Sequence, residues 1–99
     1  MFGLIGKMRA TPGERERLAE ILLEGSRGMP GCLSYVVALD ADDADALWIT
    51  EVWDNAASHK ASLSQPSVQD AIARGRPLIA GFDTSVTTTP VGGTGLDDS

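Results

Sequence analysis

The sequence predicts an α+β domain in which the elements follow the order β-α-β-β-α-β and the four strands form one antiparallel sheet. Three observations lead to this prediction. The first and last regular segments have strand-like composition, and segments with helical spacing of apolar residues lie between them. A polar, aspartate-rich turn joins two consecutive β-rich segments near the middle of the chain. The length of 99 residues and the hydrophobic content of 42% allow one core and one domain.

The first strand and the first helix are predicted at the start of the chain. Apolar residues alternate with small or charged ones over residues 2–9, which is typical of a strand with one better-buried face. The sequence Thr-Pro-Gly-Glu at residues 11–14 has the pattern of a capping box and predicts a helix with Thr11 at the N-cap. The apolar side of this helix is formed by residues at helical spacing, namely Leu18, Ile21, Leu22 and Gly25.

Two further strands are predicted on either side of a polar turn. Residues 32–39 form the second strand, and residues 47–53, rich in β-branched and aromatic side chains, form the third. Residues 40–45, Asp-Ala-Asp-Asp-Ala-Asp, join them as a hairpin connection, and we expect this acidic turn to be solvated. The two strands should therefore pair in the sheet.

Two helical segments are predicted after the third strand. Asp54 and Asn55 can cap a short helix that extends to about Leu63. Pro66 interrupts this helix, and residues 67–74 form a second helical segment.

A fourth strand and a tail complete the chain. Residues 82–89 favour a strand through their Thr and Val content. The glycine-rich residues 91–99 are expected to form a flexible polar tail, so that the domain covers residues 1–90. Together the elements match the ferredoxin-like split βαβ arrangement, an antiparallel four-stranded sheet with helices on one face.

The face of the predicted sheet that carries no helices needs another cover. It presents apolar candidates among polar neighbours, namely Ile5, Trp48 and Val52. A homodimer in which two such sheets face each other would bury these side chains. Association would also add stability, because a chain of this length buries only roughly 60–65% of the surface that it exposes when unfolded.

Charge and composition exclude several classes of partner. The chain has 8 basic and 14 acidic residues, a net charge of −6, which argues against nucleic acid or an anionic membrane as the main partner. No apolar run approaches the roughly 18–20 residues of a membrane span, and the start of the chain is too short and glycine-rich for a signal peptide. We therefore expect a cytoplasmic protein. Cys32 is the one cysteine, which excludes an internal disulfide.

Known metal and nucleotide motifs are absent from the sequence or incomplete. Asp40, Asp42 and Glu51 stand at the spacing of three ligand positions of an EF-hand. Ala44 replaces the next ligand and Asp45 stands where the loop needs glycine, so calcium binding is not expected. The P-loop, dinucleotide-binding, zinc-protease and nucleophile-elbow motifs are absent.

The region from the third strand to the last helix carries the most information about function. A strand ending in Glu-Val-Trp at residues 51–53 is followed by a short helix with His59 and by Pro66 at the start of the next helix. In order and spacing, this region resembles the antibiotic biosynthesis monooxygenase family. The similarity extends over nearly the whole chain, including residues 9–13 and the Pro-Gly-Cys segment before the strand with Tyr35.

The resemblance implies a dimeric α+β barrel with a ligand pocket between the sheet and the helices of each subunit. It also implies oxidation of a phenolic, quinol or polyketide-type aromatic substrate by molecular oxygen, with no flavin, haem or metal cofactor. The sequence differs from the pattern of the family at two positions that bear on proton transfer. Ser62 and Ser67 occupy positions where many members carry histidine. His59, the only histidine in the chain, lies three residues before Ser62 and can face the same side of a helix.

Four residues are the candidate catalytic residues, namely His59, Trp53, Tyr35 and Glu51. An ionised phenol passes an electron to oxygen far more readily than a neutral one, so the site needs a base and hydrogen-bond donors. His59 is the first candidate base, because histidine is the residue type that titrates near neutral pH. Trp53 offers an N–H group and a stacking face, Tyr35 a hydroxyl donor, and Glu51 a carboxylate that could accept a proton.

Structural roles are the alternatives for these residues. His59 could be a surface residue of a short helix, Trp53 could pack in the core, and Glu51, if buried, should pair with a group such as an arginine. Roles outside catalysis are expected for Trp48 at a dimer interface, Cys32 as a small apolar residue, and Arg74 and Arg76 at a helix end.

Two other functions are open alternatives. A non-catalytic ligand-binding dimeric module would use the same pocket without oxygen chemistry. Haem degradation, as in related dimeric barrels, is disfavoured, because the chain has one histidine and Gly6 stands where those enzymes resemble one another in carrying asparagine.

Overall fold

The elements follow the predicted order, with the second helical region divided into two helices. The computed structural model describes residues 1–96. Its elements are β1 (Phe2–Ala10), α1 (Arg15–Gly25), β2 (Cys32–Leu39), β3 (Ala46–Trp53), α2 (Ala56–Ser62), α3 (Pro66–Gly75), a 3-10 turn (Arg76–Leu78) and β4 (Ile79–Thr88). The predicted α+β class is therefore confirmed. Of the predicted tail, residues 97–99 lie outside the described residues.

The strands form one antiparallel sheet in the order β2-β3-β1-β4. Because β1 lies between β3 and β4, its side chains reach both halves of the sheet. In the β1–β3 register, Gly6 is opposite Ile49 and Met8 is opposite Leu47, so these residues share one face. The helices pack on that face, as the ferredoxin-like arrangement requires.

The core lies between α1 and the sheet. Leu18 of α1 is fully buried against Ala10, Leu47 and Ile49 from the two central strands. Burying a leucine side chain in this way stabilises the fold by about 1.5–3 kcal/mol. Partly buried side chains extend this core on all sides, namely Met8, Leu22, Tyr35, Val37, Leu78 and Ile79.

The start of α1 differs from the prediction. The Thr-Pro-Gly-Glu sequence forms a turn in which the Glu14 N–H donates to the Thr11 carbonyl at 3.0 Å. Gly13 has a φ of 83°, a left-handed conformation that cannot belong to a helix. Glu14 is therefore the N-cap, without a side-chain hydrogen bond, and the predicted capping box at Thr11 is wrong.

The cap of α2 agrees with the prediction. Asn55 precedes the helix in an extended conformation, and its side-chain oxygen accepts a hydrogen bond from the Ser58 N–H at 2.8 Å. This bond satisfies one of the free donors at the helix start. It also holds the short helix that carries His59.

The last strand begins earlier than predicted. β4 starts at Ile79, three residues before Phe82, because its first residues pair with the end of β1. Ala10 is opposite Ile79, and two irregularities in the register fall between Lys7 and Ala10. Strand pairing thus overrides the local composition that placed the strand start at Phe82.

The acidic turn between β2 and β3 is more ordered than a solvated turn would be. Asp40 accepts hydrogen bonds from the backbone N–H groups of Asp42 and Asp43, both at 2.9 Å, and from the Trp48 indole at 2.8 Å. Arg15 of α1 donates to the carbonyls of Asp40 and Asp43 at 3.2 and 2.9 Å. The turn is therefore tied to α1 and to the sheet rather than left free in solvent.

Within residues 1–96, every helix is too short or too polar to span a lipid bilayer.

Candidate active site

A cavity of about 600 Å³ lies between the sheet and the helices. This volume is in the range of small-molecule sites in proteins. Most of its wall is apolar, formed by side chains that include Met8, Leu18, Leu22, Met29, Trp53, Val68, Ile72 and Phe82. The polar side chains on the wall are Ser26, Tyr35, Glu51, His59, Ser62 and Arg76.

The fold brings the four candidate residues to this one cavity. Glu51 and Trp53 alternate along β3 and therefore point to the helix-covered face. Tyr35 is the register partner of Glu51 on β2, so the phenol and the carboxylate lie side by side. His59 reaches the same cavity from α2.

The indole of Trp53 holds the carboxylate of Glu51. Its Nε1–H donates to Glu51 Oε1 at 3.0 Å, and Trp53 itself is 1% exposed. Glu51 is only partly buried, so the condition for an arginine partner is not met, and its partner is an indole N–H two residues along the same strand face. In the part of the chain that the structure describes, Glu51 Oε2 accepts no hydrogen bond, so this oxygen is free for a ligand.

His59 is partly buried between two aromatic rings. Its ring centroid is 5.4 Å from that of Trp53 in an edge-on arrangement and 5.4 Å from that of Phe2. Packing against two rings fixes the position of the imidazole without using its nitrogen atoms. Across residues 1–96 its nitrogens make no hydrogen bond to a side chain, which leaves them available to a ligand.

The two serines at the departure from the family pattern occupy different environments. Ser62 is buried on the cavity wall, and its hydroxyl donates to the His59 carbonyl at 2.6 Å. Ser67 is exposed and lies outside the cavity wall. Of the two positions, only that of Ser62 could present a side chain to a ligand.

Tyr35 is a neutral phenol at neutral pH, and burial makes its ionisation still less favourable. Desolvation of the phenol, together with the nearby charge of Glu51, raises the pKa of Tyr35 well above its ordinary value. Among the described residues no group hydrogen-bonds to the Tyr35 hydroxyl. Tyr35 is therefore a hydrogen-bond donor at neutral pH and not a base.

Phe82 and Arg76 line the cavity although neither is among the four candidate catalytic residues. Phe82, 69% exposed, stands at the rim of the cavity on β4, and Arg76 lines the cavity from the 3-10 turn. Within residues 1–96, Arg76 forms no ion pair, whereas Arg74 pairs with Glu24 at 3.1 Å and with Asp70 at 2.9 Å. Local sequence gives no signal that separates the two arginines, since both are basic residues near a helix end.

Cys32, which the sequence predicts to be a small apolar residue, is not part of the cavity wall. It is half-buried at the start of β2, and burial raises the pKa of its thiol above the ordinary value. A thiol in this state is a poor nucleophile at neutral pH.

Sequence comparison identifies the family. The model of the family described as antibiotic biosynthesis monooxygenase matches residues 1–74. The chain belongs to the antibiotic biosynthesis monooxygenase family. The matched residues include β1 to α2 and nearly all of α3, and they contain Tyr35, Glu51, Trp53 and His59.

Solved structures of antibiotic biosynthesis monooxygenase family members share the fold over almost the full length. A protein from Chloroflexus aurantiacus J-10-fl assigned to this family is 69% identical, with a TM-score of 0.95 over 97% of this chain and 98% of that one. One from Deinococcus radiodurans is 25% identical, with a TM-score of 0.77 over 94% and 95% of the two chains. One from Nitrosomonas europaea is 14% identical, with a TM-score of 0.82 over 93% and 100%, and it supports the fold alone. No curated protein matches the chain.

Proposed function

We propose that this family member oxidises a phenolic, quinol or polyketide-type aromatic substrate with molecular oxygen inside the 600 Å³ cavity, without a cofactor. The observation that supports the proposal is the composition of the wall. A mostly apolar cavity of ligand size brings together the single imidazole of the chain, a neutral phenol, an indole and a carboxylate. Such a cavity excludes water around an aromatic ring and offers it polar groups.

In the proposed reaction, His59 accepts the proton of the substrate hydroxyl. The resulting phenolate is stabilised by a hydrogen bond from the neutral hydroxyl of Tyr35. An electron then passes from the phenolate to dioxygen, and the phenoxyl radical and superoxide combine through a new carbon–oxygen bond. For a hydroquinone, one oxygen atom enters the ring as a hydroxyquinone, and the other leaves as water with the two hydrogens lost by the substrate. No external reductant is needed.

Trp53 and Glu51 position the substrate in this scheme. Trp53 provides an apolar wall, and its N–H keeps the Glu51 carboxylate in one orientation. The free oxygen of Glu51 accepts a hydrogen bond from a second substrate hydroxyl. The proposal therefore favours substrates with more than one oxygen substituent.

The proposal includes a homodimer in the cytoplasm. The sheet face opposite the helices carries a row of register partners that crosses all four strands, Val36, Thr50, Ile5 and Val86. A second copy of the chain would cover this face and leave the cavity of each subunit on its helical side.

The proposal is tested by measuring oxygen uptake with a panel of hydroquinones and polyketide-like phenols. The protein is first freed of metal and flavin. We expect saturable uptake above autoxidation, and a loss of about 10²–10⁴-fold in kcat/KM in His59→Ala, because a general base is removed. Lys60→Ala is the matched control, since Lys60 is the next residue of α2, is exposed and lies outside the cavity wall.

Two outcomes would contradict the proposal. Equal turnover in the His59→Ala variant would remove His59 from the mechanism. Absence of uptake with every compound, combined with phenols that raise the melting temperature, would identify the alternative function, a non-catalytic ligand-binding module.

A further inference from the structure

A second, smaller cavity of about 170 Å³ adjoins the main one over the middle of β1. We call it the side chamber. Its wall shares Met8, Tyr35, Glu51 and Phe82 with the main cavity, so the two spaces meet at these four side chains. Gly6 lies on its wall and is opposite Ile49, a core residue on the helix-covered face.

The side chamber is open because residue 6 has no side chain. A Cβ atom at Gly6 would meet only the Thr84 carbonyl, at 3.7 Å, which is an ordinary contact. Gly6 is not among the glycines with a positive φ, so the backbone does not require glycine here. Glycine inside a strand often marks the close approach of a ligand, and here it leaves free space facing the cavity.

Two polar groups at the junction of the cavities have unused hydrogen-bonding capacity. Glu51 Oε1 is occupied by the Trp53 indole, while Oε2 has no donor among residues 1–96. The neighbouring Tyr35 hydroxyl has no partner in the same range. The free oxygen of Glu51 on an otherwise largely apolar wall suits a ligand hydroxyl that donates to it, while the Tyr35 hydroxyl stays available to the ligand oxygen in the main cavity.

We propose that the side chamber is a second ligand subsite, which binds one hydroxyl-bearing ring of a ligand whose other part lies against His59. Gly6 determines specificity by leaving this space empty, and Glu51 accepts the hydroxyl hydrogen. The volume agrees with this assignment, because a protein cavity of about 150 Å³ holds one benzene molecule. The side chamber therefore has room for one ring of the ligand, and the remainder lies in the main cavity.

This inference deepens the proposed function and rests on it for the choice of phenols as probes. Binding is measured under nitrogen, so that a failure of the oxygen chemistry does not affect the result. The probes are 4-hydroxybiphenyl, 4-methoxybiphenyl and 2,6-di-tert-butylphenol, and their dissociation constants are measured by calorimetry. The two tert-butyl groups of the last probe flank its hydroxyl and keep this ring out of a space of benzene size. The variants are Gly6→Ala and Gly6→Val, which fill the side chamber to increasing extents, and Glu51→Gln, which removes the charge.

We expect Gly6→Val to weaken 4-hydroxybiphenyl binding by about tenfold or more and to leave 2,6-di-tert-butylphenol binding within about twofold, because only the slim hydroxyl-bearing ring of the first can enter the side chamber. Gly6→Ala should give an intermediate loss of affinity for 4-hydroxybiphenyl. If Gly6→Val does not fold, the comparison is made with Gly6→Ala alone. The unmodified protein should bind 4-hydroxybiphenyl more tightly than 4-methoxybiphenyl, and Glu51→Gln should reduce this preference.

Equal weakening of 2,6-di-tert-butylphenol and 4-hydroxybiphenyl by the Gly6 variants would overturn the subsite, as would unchanged affinity for both. Equal affinity of the unmodified protein for the hydroxy and methoxy compounds would overturn the role of Glu51. Melting temperatures of the variants, measured without ligand, show whether an affinity change comes from a damaged fold.

Discussion

At the scale of single residues, Asp40 shows how one carboxylate organises an end of the sheet. The Trp48 indole N–H and the backbone N–H groups of Asp42 and Asp43 all donate to it. These bonds, with the indole contributing most, lower the pKa of Asp40 from 3.8 to about 2. Because the folded protein prefers the charged form, Asp40 stabilises the fold at neutral pH.

The stability of the protein should therefore fall as the pH drops from about 4 to about 2, where the folded-state carboxylate becomes protonated. We expect Asp40→Asn to lower the free energy of unfolding at pH 6 and to make its decline below about pH 4 shallower. Asp43, whose pKa is also lowered, should retain part of the decline. Urea unfolding at a series of pH values measures both effects.

Asp42→Asn is the control for this prediction, because it removes a charge from the same turn without removing the acceptor of the Trp48 bond. If both variants show the same stability at every pH, the bonds of Asp40 do not matter and the effect is one of net charge.

At the scale of elements, the close packing of α1 on α3 shapes one wall of the cavity. Gly25 at the end of α1 lies against Ala71 of α3, and both residues line the cavity. A Cβ atom at Gly25 would overlap the Ala71 side chain. The absence of a side chain at residue 25 therefore allows the two helices to approach.

Gly25→Ala tests this packing. Alanine favours a helix over glycine by up to about 1 kcal/mol, but overpacking costs about 1–3 kcal/mol, so we expect a net loss of stability. The double variant Gly25→Ala with Ala71→Gly restores the space and should recover part of the loss, giving a coupling energy in a double-mutant cycle. Purely additive effects, measured by urea unfolding, would contradict a direct contact.

At the scale of the whole molecule, the sheet has two different faces. Helices cover the face with Leu47 and Ile49, whereas the opposite face presents Val36 at 51% exposure and Val86 at 45%. Three of the four residues in the row, Val36, Ile5 and Val86, are apolar. Apolar side chains gathered on an exposed face often mark an interaction site. This asymmetry supports the proposed homodimer.

The dimer predicts a sedimentation mass of about twice the 10.4 kDa of the chain. Val36→Lys should give monomers, because it places a charge in the proposed interface at the β2 end of the row. Leu23→Lys, on the exposed side of α1 and 45% exposed, should leave the dimer intact. A monomeric unmodified protein would contradict the interface, as would a dimer that survives Val36→Lys.

Much of the fold could be predicted from the sequence, because the positions of the strands and helices depend on local residue patterns. Alternating apolar residues over residues 2–9, the β-rich segments on either side of the acidic turn and the Asn55 cap all predicted elements that the structure contains. Helical periodicity and strand alternation arise from each element's own geometry, so they are visible without knowledge of its neighbours. The family resemblance, carried by Glu-Val-Trp, His59 and Pro66, is confirmed by the family match.

Contacts between residues that are distant in the sequence decided the exact element boundaries and the geometry of the site. Because Gly13 lies in a turn, α1 is capped by Glu14 and not by Thr11. Because Ile79 pairs with Ala10, β4 begins at Ile79 and not at Phe82. The sequence by itself determined the order of elements and the candidate residues of the site. Only the tertiary structure decided that an indole holds Glu51 and that Gly6 opens a side chamber, because cavities and hydrogen-bond partners depend on how separate elements pack together.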